Sequence, residues 1–216
     1  MAREELIVGV SGGSGALLAR RFVEVLLSAT RVGRVHLVFS EASLEVARTE
    51  IDPSIRTPHD WVTNLGLSGA AARRLEHHPN DRIGASIASG SYPVRGMIVI
   101  PCSGGTLGAI ANGISRDLLQ RAADVCLKER RPLVLAFRET PYSLVHVENM
   151  RRATLAGAIV APPVPAFYIG TPDMDRFLDA YCVRAARLLG VQVSGERFEW
   201  KGRRAAAASS RRTRSR

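Results

Sequence analysis

The chain is organised by one recurring pattern: a short β-rich apolar run, a turn of small polar residues, then a stretch with helical spacing of apolar positions. Leu6 to Val10 ends in Ser11-Gly12-Gly13-Ser14-Gly15 and leads into an amphipathic stretch, Ala16 to Leu27. Val35 to Phe39 ends at Ser40 and leads into a helical segment over 41–49. Met97 to Ile100 closes on Pro101-Cys102-Ser103-Gly104-Gly105-Thr106, with helical spacing after it and again over 118–127. Leu133 to Phe137 precedes a helix over 142–156. Ala158 to Val160 precedes Pro162-Pro163-Val164-Pro165, and the last helix covers 173–189. Strand runs that are apolar at every position are covered on both faces. The alternation therefore predicts an α/β fold: a parallel sheet with helices on both faces and right-handed crossovers. Residues 51–95 carry Pro53, Pro58, Pro79 and Pro93; they predict irregular structure with one short helix near 60–65.

The length of 216 residues suits one domain with a sizeable core, and 46% hydrophobic with 23% charged residues is ordinary for a globular chain. No apolar stretch approaches the roughly 18 residues of a membrane span. The start, MAREELIVGV, runs straight into a strand pattern without the look of a secretory signal. Cys102, Cys126 and Cys182 are isolated, which predicts reduced thiols in a cytoplasmic protein.

The net charge of +10 is unevenly placed. Residues 201–216 hold seven Lys or Arg and no acid, leaving +3 for residues 1–200. That segment has no large apolar side chain, so we expect a disordered basic tail behind a domain covering 1–200. It predicts weak, non-specific polyanion binding and no specific nucleic-acid function.

The stretch Lys128 to Glu139, KERRPLVLAFRE, sets a basic cluster before a buried-type strand and an Arg-Glu pair after it. Strand ends are where open α/β sheets hold ligands, and Arg and Lys are the usual partners of phosphate. Two Gly-Ser loops and Arg138 at strand ends point to a phosphate-bearing cofactor, with helix N-terminal amides as further donors. The first loop is neither GxGxxG nor a P-loop. Taken alone, Ser14 reads as a helix cap, Cys102 as a buried small hydrophobe and Tyr168 as a packed aromatic. The five histidines are scattered, which predicts no metal site and no hydrolase triad.

Together, IVGVSGGSGA, HLVFSEA, PCSGGTLGAIANG, RAADVCLKERRPLVLAFRETP, HVENM, GAIVAPPVPAFY and Trp200 resemble the UbiX-type flavin prenyltransferases over about residues 5–200. The resemblance implies a three-layer, Rossmann/flavodoxin-like fold. It also implies transfer of a dimethylallyl group from dimethylallyl monophosphate to reduced FMN. Phosphate is released, and the prenylated FMN serves a UbiD-type decarboxylase. The expected assembly is a dodecamer with sites built between subunits, without a metal. FMN-dependent cysteine decarboxylases share the fold and early loops, and such a decarboxylase or a flavin-binding accessory subunit is the competing reading.

The same resemblance implies roles residue by residue. Gly12, Gly13, Ser14, Ser40, Ser103, Gly104, Gly105, Thr106 and Arg138 would hold FMN. Lys128, Tyr168 and Arg184 would hold the donor phosphate, with Arg138 and Glu139 beside the substrate and Trp200 covering the prenyl group. Glu50 and Glu139 would be active-site carboxylates, Glu139 relaying a proton with Ser14 assisting, while Lys128 stabilises the leaving phosphate. Gly13 stands where the family often has Ala, and FYIGTP replaces the frequent FYHRP.

Overall fold

The computed structural model describes residues 3–169, 173–195 and 198–199. Trp200 and the basic tail lie outside the described residues.

Six strands form one sheet: β1 (Glu4–Val10), β2 (Val32–Phe39), β3 (Leu75–His78), β4 (Gly96–Cys102), β5 (Leu133–Phe137) and β6 (Ile159–Val160). Their order is β3-β2-β1-β4-β5-β6, and every pairing is parallel. All residues of β4 and β5 are buried, as expected for strands covered on both faces. Side chains alternate between two cores. Leu6, Val8 and Val10 join Phe22, Leu26, Leu37 and Cys182 on one face, whereas Ile7 joins Met97, Leu119, Cys126 and Phe137 on the other.

The first face is covered by α1 (Ala16–Ser28), α2 (Glu41–Glu50), α3 (Pro58–Asn64) and α8 (Met174–Leu188). The second is covered by α5 (Gly104–Ala111), α6 (Leu118–Lys128) and α7 (Leu144–Leu155). Helix α8 is tied to α1 by the Arg21–Asp175 ion pair at 2.7 Å and by the Cys182 thiol donating to Leu18 O at 3.7 Å. Among the described residues, no helix is long and apolar enough to cross a membrane.

The segment 51–95 is more ordered than its prolines predict. Helix α3 begins at Pro58, and Thr57 and Asp60 close a reciprocal capping box around its first turn. Trp61 is 2% exposed and packs on Phe39 with ring centroids 5.1 Å apart, so it anchors the segment. A short helix α4 (Gly69–Ala72) follows, then β3, a strand beyond the five that the apolar runs predict. Its residues, Leu-Glu-His-His, are only partly buried on this sheet edge, so neither an apolar run nor clean alternation marks it as a strand.

Candidate active site

Because all strands are parallel, their C-terminal ends lie on one sheet edge. The strand order reverses between β1 and β4, and a crevice opens where the two connections diverge to opposite faces. The loop after β1 (residues 11–15) and the loop after β4 (residues 103–106) meet there. Ser11, 1% exposed, joins them: its hydroxyl donates to Pro101 O at 2.9 Å and accepts from Ser103 N at 2.8 Å. A serine beside glycines looks like any turn residue, so Ser11 carries no signal of this role in the sequence. From the next strand, Arg138 donates through Nε to Ser14 O at 3.1 Å, and its amide donates to Cys102 O at 3.2 Å. Gly12, Gly13, Ser14, Ser103 and Arg138 are therefore brought together as expected.

Four details differ from the sequence expectation. Ser14 does not cap α1; Gly15 is the N-cap at φ 122°, and Ser14 is exposed. The missing cap is supplied by Glu50, from the end of α2. Its carboxylate accepts from Gly15 N at 2.9 Å and from Ala16 N at 2.7 Å. That charge occupies the donors a phosphate was expected to use at this helix start, and places the Glu50 carboxylate against the first loop. Ser40, by contrast, is an N-cap: its hydroxyl accepts from Ser43 N at 3.2 Å at the start of α2. Lys128 is the fourth. It ends α6 beside Gly90, pairs with Glu129, and precedes the N-terminal end of β5, about 13 Å of strand from the end that carries Arg138. Within one chain it does not reach the crevice.

Glycines keep the crevice open. A methyl at Gly12 would stand 2.6 Å from Ala42 Cβ of α2, so only glycine allows that approach. A methyl at Gly105 would meet nothing within 4 Å, so the start of α5 presents bare backbone. Ser103 caps that helix and donates to Thr106 Oγ1 at 3.0 Å. His146 enters the site unexpectedly: its Nε2 lies 3.1 Å from where a methyl on Gly104 would sit, and its ring packs edge-on against Phe137. Glu139 accepts from Thr140 N at 3.0 Å. Cys102 is fully buried in the core under α5, and that burial pushes its thiol well above the usual range, as for a small apolar residue.

Tyr168 and Arg184 share a separate cavity of about 520 Å³ beside α8, lined also by Phe177 and Tyr181 and by none of the crevice residues. Among the described residues, the expected site residues thus fall in three places: the crevice, the cavity beside α8, and Lys128 at the opposite sheet edge.

The Flavoprotein family model matches residues 1–176. The flavin prenyltransferase UbiX of Escherichia coli K12 is 39% identical over 200 residues, covering 92% of this chain and 99% of the relative. Among solved structures, AnUbiX in complex with FMN and dimethylallyl pyrophosphate is similar with a TM-score of 0.79 at 36% identity, covering 93% of this chain and 98% of that one. A dodecameric FMN-dependent UbiX-like decarboxylase from Escherichia coli O157:H7 is similar with a TM-score of 0.78 at 34% identity, covering 92% and 99%.

Proposed function

This chain belongs to the Flavoprotein family, in its UbiX flavin prenyltransferase branch, and from that premise we propose that it joins the dimethylallyl group of dimethylallyl monophosphate to reduced FMN. Phosphate leaves, and the prenylated FMN supplies a UbiD-type decarboxylase. The observation that carries this reading is the pair of Gly-Ser loops locked together by Ser11 at the switch point and bridged by Arg138. The residues present fit FMN. The exposed Ser14 hydroxyl, the bare start of α5 at Gly104 and Gly105, and the Arg138 guanidinium form a donor-rich cradle on one edge of the sheet.

Reduced FMN brings the nucleophilic ring nitrogen and a neighbouring aromatic carbon. The chain's own groups do the rest. Gly12, Gly13, Ser14, Ser103 and Thr106 bind and orient the acceptor, with Ser40 and Arg138 at its phosphate and ring. Glu139 takes up and returns a proton, with Ser14 assisting. Lys128, Tyr168 and Arg184 hold the donor phosphate and offset its growing charge. Trp200 shields the allylic carbon from water.

The three-part distribution of these residues supports assembly of each site from more than one copy of this chain, in a homo-oligomer of dodecamer type. Helix α7 is suited to that role. Leu144 and Leu155 are 76% and 74% exposed, and Ala153 is its one buried residue, leaving an apolar face that a neighbouring copy would cover. We place the reaction in the cytoplasm, where Cys102, Cys126 and Cys182 stay free thiols.

The test is release of inorganic phosphate under anaerobic conditions from protein loaded with reduced FMN. Stoichiometric release of phosphate on adding dimethylallyl monophosphate, or of inorganic pyrophosphate on adding dimethylallyl pyrophosphate, dependent on the flavin, supports the reading. Absence of release with both donors overturns it.

A further inference from the structure

A second polar cluster is buried under the other half of the sheet. His36 of β2 is fully buried, on the sheet face that carries Val38 two residues on and Ile7, its neighbour in β1. Both of its ring nitrogens have partners: Nε2 lies 2.9 Å from Glu5 Oε2 of β1, and Nδ1 lies 2.9 Å from His78 Nε2 of β3. Glu5 also accepts from the Tyr92 hydroxyl at 2.6 Å, so this carboxylate acts as acceptor on both sides. His36 then carries its proton on Nε2, and its Nδ1 lone pair points at His78. Glu76 completes the group. Its Oε1 lies 3.5 Å from His78 Nε2, while its other oxygen is held by Arg34.

We propose that His36, Glu76 and His78 form a binding site for a divalent transition ion of the zinc class. Two imidazoles and a carboxylate are a common zinc donor set, and two ligands on one tetrahedral zinc stand about 3.3 Å apart. The separations of 2.9 Å and 3.5 Å bracket that spacing, and all three ligand atoms lie within 4.8 Å of one another. The surroundings have the form of a built outer shell. Glu5 orients His36 through its remote nitrogen, Tyr92 orients Glu5, and Arg34 fixes the unused oxygen of Glu76. Ion entry needs one rearrangement, transfer of the His78 proton from Nε2 to Nδ1. Glu76 keeps 39% of its side chain exposed, which opens the site to solvent and leaves a position for water. The site staples the four-residue edge strand β3 to β2, to which only four residue pairs otherwise join it. The inference is independent of the flavin reading.

The test is titration of the full-length, tag-free, FMN-loaded protein with Co²⁺ after chelator treatment. We expect visible d–d bands of a four-coordinate ion that saturate at one equivalent, are quenched by one equivalent of Zn²⁺, and accompany a rise in Tm. His78→Gln should abolish the bands, and Glu76→Gln should weaken binding at least about tenfold. Because His36 is buried, the half-exposed Glu76 is the position whose variant keeps the fold, checked by an unchanged metal-free Tm. Absence of stoichiometric binding in the wild type overturns the proposal, as does equal binding in both variants.

Discussion

Gly12 and Gly13 are neighbours, yet a methyl group added to each meets different surroundings. At Gly12 it falls 2.6 Å from Ala42 Cβ, and α2 must move away. At Gly13 the nearest atom is Pro101 Cβ at 3.5 Å, an ordinary contact. Gly12→Ala should therefore cost about 1–3 kcal/mol and weaken FMN retention. Gly13→Ala should be neutral or stabilising by about 0.4–1 kcal/mol; thermal melts and FMN titrations of both variants check this. At Glu139 the expectation is chemical: Glu139→Gln should lower turnover by about 10²–10⁴ while FMN stays bound, measured as single-turnover rate against flavin absorbance. Full activity would remove Glu139 from the mechanism. Glycines, serines and Arg138 were legible as a site because a loop needs those residue types to approach a ligand. Which serine caps a helix was not. Ser14 and Ser40 look alike in sequence, and only the placement of Gly15 at the helix start distinguishes them.

Elements settle what residues leave open. Helix α1 starts at a glycine with no side chain, so its cap must come from elsewhere, and Glu50 reaches it from the end of α2. Glu50→Gln keeps the shape and removes the charge at this helix start. The loss should be about 0.5–2 kcal/mol, with FMN affinity lowered and the chemical step retained. A variant of unchanged stability that cannot turn over would instead make Glu50 catalytic. A contact over 35 residues leaves no local signal, which is why sequence gave Glu50 only a role by resemblance. Strands β1, β2, β4 and β5 were legible since their apolar runs are long. β3 was not, because Glu76 and His78 face a polar cluster while His77 between them turns to Phe39, so no apolar run marks the strand. The same fact hid His36 and His78, which are 42 residues apart in sequence and 2.9 Å apart in space.

At the scale of the molecule, one chain carries the parts of a site without closing it. Lys128 and Arg138 flank the same strand but lie at opposite sheet edges, so the proposed shared site draws a working pair from different copies. Chains carrying Lys128→Ala or Arg138→Ala should each be inactive alone. Co-expressed in one oligomer, they should recover activity above either variant, because some sites combine an intact lysine with an intact arginine. No recovery in a verified mixed oligomer would mean that a single chain closes its own site. The basic run before β5 has the composition of an anion site. Part of it instead binds the preceding segment, since Arg131 donates to Tyr92 O at 2.7 Å and to Gly90 O at 2.6 Å.

The central claim is the identity of the transferred group, and mass spectrometry of the flavin tests it most directly. The purified protein, loaded with reduced FMN and incubated with dimethylallyl monophosphate, should yield a bound flavin heavier by one prenyl unit. Bound flavin of unchanged mass would contradict the transferase, and protein that retains no flavin would contradict the assignment of the switch-point crevice itself.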